Sequence, residues 1–109
     1  MVREVRLTVP VARVLAALVA DPDGDHYGLE LMRAAGLPSG TLYPILSRLT
    51  DAGWLEKRWE DVDPAAAGRP ARAYYRLTPD GLAAARQDLA ELHDQTRSAG
   101  LHATKEATA

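Results

Sequence analysis

The stretch SGTLYPILSRLTDAG, residues 39–53, decides the fold. Leu42, Ile45, Leu46 and Leu49 recur at i, i+3, i+4 and i+7, which places four apolar side chains on one face of an α-helix. Ser39 is suited to cap that helix and Gly53 to end it, so the spacing predicts a helix over 39–52. Pro44 stands in its early turns, removes one backbone hydrogen bond and is expected to bend the helix start. The opposite face presents Ser39, Gly40, Thr41, Tyr43, Pro44, Ser47 and Arg48, and the first acid is Asp51.

Upstream, Leu7, Val11, Val14, Leu15 and Leu18 predict a helix from Thr8 to Ala20, with Thr8 as its cap and Pro10 in the first turn. Asp21-Pro22-Asp23-Gly24 then turns the chain. A short helix follows over Tyr27–Ala35, with Tyr27, Leu31, Met32 and Ala35 facing inward and Gly36 as its C-terminal glycine. Only Gly36-Leu37-Pro38 separates it from the helix at 39.

Downstream, Trp54–Glu60 and Ala71–Leu77 read as strands. They are joined by a long mobile loop at 61–70, rich in Ala, Asp, Gly and Pro. Thr78-Pro79-Asp80 is a strong helix start. Leu82, Ala85, Leu89, Leu92 and Thr96 then alternate by three and four in a heptad-like stripe, and Gly100 is expected to end the helix. Residues 100–109 are expected to be a disordered tail. The fold class is mainly α with a small β-hairpin. A winged helix-turn-helix domain over 1–77 is followed by a C-terminal dimerisation helix over 78–99.

The whole chain sets limits. A length of 109 residues suffices for one domain and one core, and 47% apolar with 26% charged residues is ordinary for a soluble globular protein. Such a small chain leaves much apolar surface uncovered, so self-association is expected. Without cysteine there is no disulfide, thiol catalysis or thiolate metal site, which fits a cytoplasmic location. No apolar run reaches the roughly 18 residues of a membrane span, and Arg3, Glu4 and Arg6 interrupt any leader-like start. No membrane partner is expected.

Catalysis finds little support. His26, His93 and His102 are scattered, with the last two expected to be solvated, and no cluster has metal-ligand spacing. Phosphate loops, nucleophile elbows and paired-carboxylate motifs are missing too, so neither enzyme nor cofactor is expected.

The net charge of −2 argues at first against a polyanionic partner, but its distribution matters more. Acid is concentrated in residues 21–37 and 77–109, whereas 1–20 and 38–76 are net positive. The outer face of helix 39–52 therefore has the character of a recognition helix. Small and hydrogen-bonding groups stand where a carboxylate would repel phosphates; Thr41 and Tyr43 are able to bond phosphates or bases, and Arg48 to reach a phosphate. Gly68-Arg69-Pro70-Ala71-Arg72 adds a basic segment suited to the backbone or minor groove, with Arg76 beyond it. A plain solvated helix face and a loop kept soluble by charge would look similar, and Asp61 and Asp63 lean towards the latter.

The run SGTLYPILSRLTDAGWLEKRWE and then GRPARAYYRLTPDGLAAA resembles the PadR family of transcriptional regulators. The resemblance rests on Gly40-Thr41-Leu42-Tyr43-Pro44, Leu46, Arg48-Leu49, Gly53, Arg72 before Tyr74-Tyr75, Leu77-Thr78, and His26-Tyr27-Gly28 near the start of the second helix. It covers about 60 central residues and is far more specific than a bare helix-turn-helix. It implies a dimeric repressor binding double-stranded operator DNA, with Ser39, Gly40, Thr41, Tyr43, Pro44, Ser47, Arg48, Arg69 and Arg72 at the DNA and Leu82, Ala85, Leu89 and Leu92 at the dimer contact. The turn before residue 39 is shorter than in many relatives, and with one C-terminal helix the long effector domain of larger relatives is not expected. Some relatives bind small aromatic effectors at the dimer interface; Trp54 and Trp59 are candidates, though hairpin or core packing is the ordinary use of such residues. Of Tyr74 and Tyr75, which point to opposite faces of one strand, one is expected in the core. The competing reading is a winged-helix module that binds another protein without sequence-specific DNA binding.

Overall fold

A computed structural model describes residues 1–108, with side chains as far as Arg97. Eight elements follow one another: α1 (Val9–Val19), β1 (His26–Tyr27), α2 (Gly28–Ala35), α3 (Ser39–Asp51), β2 (Leu55–Trp59), α4 (Pro64–Ala67), β3 (Ala73–Leu77) and α5 (Pro79–Thr108). The chain is mostly helical with one small antiparallel sheet, the winged-helix arrangement expected from the sequence.

Local chemistry starts and stops the helices. The Thr8 hydroxyl accepts from the Val11 N–H at the head of α1. Gly36 closes α2 at φ 65°, a left-handed conformation that a side chain would strain, and lets the chain turn directly into α3. Thr78 accepts at its hydroxyl from the Gly81 N–H and donates to the Gly53 carbonyl, so one side chain starts α5 and ties it to the end of α3.

The core is continuous. Val11, Val14, Leu15 and Leu18 of α1, Leu31 of α2, and Leu42, Ile45, Leu46 and Leu49 of α3 pack with Trp54, Leu55, Tyr75, Leu77 and Ala85. All four leucine-stripe positions of α3 are essentially without exposure, so the 3.6-residue period became the buried face.

The sheet is richer than a hairpin. Its order is β1-β3-β2, with His26 opposite Tyr75, Tyr27 opposite Tyr74, and Leu55, Lys57 and Trp59 opposite Leu77, Tyr75 and Ala73. Tyr27 thus belongs to a strand and α2 begins at Gly28. Two residues cannot display an alternating pattern, which is why β1 was not legible beforehand. Tyr75 is the buried tyrosine, and Tyr74 stands half-buried on the other face, its ring 6.0 Å from that of Tyr27.

The segment 61–70 also differs from the open loop expected. It contains the helical turn α4, where Asp63 caps Ala65 and Gly68 ends the turn at φ 68°. Ser39 is not the cap of α3 but its first helical residue. Pro38 takes the cap position and supplies no side-chain bond. At the far end the backbone of α5 continues past Gly100, because a glycine inside a helix costs about 1 kcal/mol relative to alanine without removing a hydrogen bond. The side chains of the expected tail, and His102 among them, lie outside the described residues. A helix of this length makes the molecule long, with extents of 66 × 29 × 22 Å.

Candidate nucleic-acid interface

With its leucines turned inward, α3 exposes Ser39, Gly40, Tyr43, Pro44, Ser47 and Arg48, and half-buries Thr41. Thr41 and Leu42 both direct their N–H groups to the Pro38 carbonyl. Without a side-chain cap, the first turn keeps donor capacity and the positive end of the helix dipole for an anion. Gly40 faces open space, since a β-carbon there would meet nothing within 4 Å. Pro44 leaves the helix unbroken, and Arg48 folds its Nε back to the Pro44 carbonyl at 3.4 Å.

Tyr43 is set by its neighbour. A β-carbon on Gly28 would lie 2.3 Å from the Tyr43 hydroxyl, so the glycine at the head of α2 makes room for that phenol. Tyr43, Tyr27, Gly28, Leu29, Tyr75, Ala73 and Arg72 line a cleft of about 310 Å³ between α2, α3 and the base of the wing, the hairpin of β2 and β3 with the segment that joins them. Burial, and then the nearby Tyr43, push the Tyr75 phenol above its ordinary value. The structure therefore brings Tyr43 and Arg72 to one place although they are far apart in sequence.

Arg69 is not presented with them. Its guanidinium donates to both carboxylate oxygens of Glu60, at 2.7 and 3.2 Å, and to the Pro70 carbonyl at 3.1 Å. Glu60 also accepts from the Arg72 N–H at 2.8 Å. The Arg69 hydrogen bonds, followed by that of the Arg72 backbone, hold the Glu60 carboxyl below its ordinary value. The same pair raises Arg69. Two further wing arginines are engaged: Arg58 with Glu56 at 2.9 Å, and Arg76 with Asp25 through Nε at 3.0 Å. Arg72 itself is exposed.

Arg48 joins a different group. With Arg3, Glu4, Val5, Arg6, Asp51 and Ala52 it lines a second cleft of about 310 Å³ at the other end of α3. Arg3 donates to the Asp51 carbonyl there at 2.6 Å. The basic amino terminus was visible in the charge distribution, but its position beside α3 was not. Of the two tryptophans, Trp54 is buried and donates its indole N–H to the Arg3 carbonyl at 2.6 Å. Trp59, by contrast, is 61% exposed.

The proposed dimer stripe divides as well. Ala85 is wholly buried in its own domain's core and offers no surface to a partner. Leu82 and Leu89 pack partly on that core, and Leu92 is half-buried beyond them. Helical spacing alone does not distinguish a face covered by α1 from one left for another chain.

Residues 14–87 match the transcriptional regulator PadR-like family. This chain is a PadR-family member. Among solved structures it is similar to a PadR family transcriptional regulator from Eggerthella lenta, at 26% identity over 84% of this chain and 82% of that one, with a TM-score of 0.65. It is also similar to the PcaV transcriptional regulator from Streptomyces coelicolor in complex with its natural ligand, at 31% identity over 99% and 72% of the two chains and a TM-score of 0.64. The Staphylococcus aureus MepR–DNA complex shares the fold, at 18% identity over 94% and 79% and a TM-score of 0.60. A search of curated proteins found no match. Among the described residues no helix is long and apolar enough to cross a membrane, and no group of three His, Cys, Asp or Glu is placed to hold a metal ion.

Proposed function

We propose that this PadR-family protein is a dimeric repressor that binds double-stranded operator DNA, with α3 in the major groove and the wing against the flanking backbone. The observation that carries the reading is the outer face of α3. It is free of acid from Ser39 to Thr50, open at its uncapped first turn, and flanked by Tyr43 and Arg72 in one cleft. Ser39, Gly40, Thr41 and Ser47 approach base edges, and Tyr43, Arg48 and Arg72 approach phosphates. Arg69 acts through Glu60 to shape the wing instead of touching DNA. Leu82, Leu89 and Leu92 of α5 form the dimer contact, and pairing two α3 helices lets two half-sites reinforce each other. The likeness to a regulator holding its natural ligand supports a small-molecule effector for this chain also.

Binding of the purified protein to its own upstream DNA and to a scrambled duplex, across a salt series, tests the reading. Tight, sequence-preferring binding that weakens steeply with salt is expected. Salt-insensitive binding or none would overturn it in favour of a protein partner. Leu92→Asp tests the dimer: it places a charge in the stripe beyond the domain's own core, and light scattering should show the monomer mass. A dimer retained in Leu92→Asp would move the contact off α5.

A further inference from the structure

Cross-strand partners share a face of a sheet and successive residues alternate. Leu55, Lys57 and Trp59 of β2 therefore lie on the same side as Leu77, Tyr75 and Ala73 of β3. Leu55, Tyr75 and Leu77 are buried in the core, so this is the side turned towards α3. Lys57 lines a cleft of about 270 Å³ with Ser47, Thr50 and Asp51 of α3 and with Tyr75. Trp59 continues that side outward, past the end of the core, with 61% of its surface exposed. The Lys57 ammonium stands 5.2 Å from the centre of its ring, so the two side chains present a flat apolar surface and a positive charge together.

No packing explains this indole. Trp54, one turn of sequence away, is buried and hydrogen-bonded, whereas Trp59 covers nothing in the core cluster. Three of the wing's arginines are engaged elsewhere, because Arg58, Arg69 and Arg76 each face a carboxylate of this chain. Lys57 and Arg72 are the wing cations without a carboxylate partner among the described residues.

We infer that Trp59 and Lys57 add a second contact of the wing with duplex DNA beside Arg72, the indole packing against sugars and base edges of the groove beside α3 while Lys57 meets a phosphate. This rests on the DNA-binding reading above. Apolar side chains commonly enter the minor groove of a duplex. Charge complementarity selects the occupant: a cation held over the exposed ring fits a polyanion, and it would disfavour a purely apolar partner.

The test compares wild type, Trp59→Phe, Trp59→Ala, Lys57→Met and Arg72→Ala in titrations with the upstream duplex. An exposed indole supports nothing in the fold, so Trp59→Ala should unfold at the wild-type midpoint. Its affinity should fall about fivefold to tenfold, as expected for one lost aromatic contact, with the salt slope unchanged. Trp59→Phe should retain most of the affinity, and Lys57→Met should lower the slope by about 1. Wild-type tryptophan emission should change on adding duplex, and Trp59→Phe, which keeps only Trp54, should show no change. If Trp59→Ala binds like wild type while Arg72→Ala is weakened, the indole is no contact and the DNA reading stands without it. If wild type binds no duplex, the DNA reading fails and takes this inference with it. If Trp59→Ala binds weakly because it has become monomeric by light scattering, a second copy covers the indole and the inference is wrong.

Discussion

The recognition helix and the wing form the two halves of the proposed DNA surface, and different forces hold them. Leu42, Ile45, Leu46 and Leu49 anchor α3 from behind with almost no exposure. The wing has hardly any core: in β2 only Leu55 is buried, and α4 has no buried residue. Its shape comes from polar chemistry, with Glu60 gripping Arg69 and the Arg72 N–H, and Asp63 capping a single helical turn. Hydrophobic anchoring makes α3 a rigid presenter of its outer face. Exposed ion pairs contribute little each, so the wing is the part able to adjust to the duplex.

The largest expected effect breaks α3 from behind. Leu46→Ala should destabilise the protein by about 2–5 kcal/mol, the range for a fully buried leucine, as read from denaturant unfolding. A loss below about 1 kcal/mol would mean that α3 is not anchored as described.

Next come the charges at the two ends of the surface. Arg48→Ala and Arg72→Ala should leave stability near wild type and weaken binding to every duplex, each lowering the salt slope by about 1. If only Arg72→Ala does so, Arg48 belongs to the amino-terminal cleft alone and the surface is shorter at that end.

Gly40→Ala separates folding from recognition. Its β-carbon meets nothing in the protein, and alanine favours a helix by up to about 1 kcal/mol over glycine. Thermal unfolding should occur at an unchanged or higher temperature while DNA affinity drops, because the methyl group would stand in the proposed contact with the duplex. Unimpaired binding would place the DNA farther from the start of α3.

The smallest effect is on the wing clip. The Glu60 carboxyl is held below its ordinary value, so its stabilising contribution is complete above the unfolded-state carboxylate value and disappears as pH falls through the folded one. Protection of the Arg72 amide against hydrogen exchange, taken relative to the intrinsic rate at each pH, should fall on acidification in wild type and show little pH dependence in Glu60→Gln. DNA affinity of that variant should stay within about twofold of wild type, since the clip shapes the wing without touching DNA. A wing amide insensitive to both changes would show that Glu60 does not hold the segment.

The comparison also marks what could be read in advance. Helices α1, α2, α3 and α5 were legible because apolar side chains repeat with the helical period and because Thr8, Gly36 and Thr78-Pro79 act on their own neighbours; the two long strands were legible from β-propensity between turn residues, and the family resemblance from particular residues such as Gly40-Thr41-Leu42-Tyr43-Pro44. The outer face of α3 follows from the same period, since a helix that buries Leu42, Ile45, Leu46 and Leu49 must expose what lies between them.

Sequence by itself thus determined the order of α1, α2, α3, the two long strands and α5, and the residues of α3, all properties of neighbours within a few positions. Tertiary structure alone decided which wing cations remain free. Glu60 with Arg69 and Asp25 with Arg76 are partners set by how strands lie side by side, and charge composition counts an engaged arginine like a free one. It alone separated Trp54 from Trp59, Tyr75 from Tyr74, and Ala85 from Leu92. Each pair is alike in type or spacing, and burial depends on what packs against the residue from elsewhere in the chain.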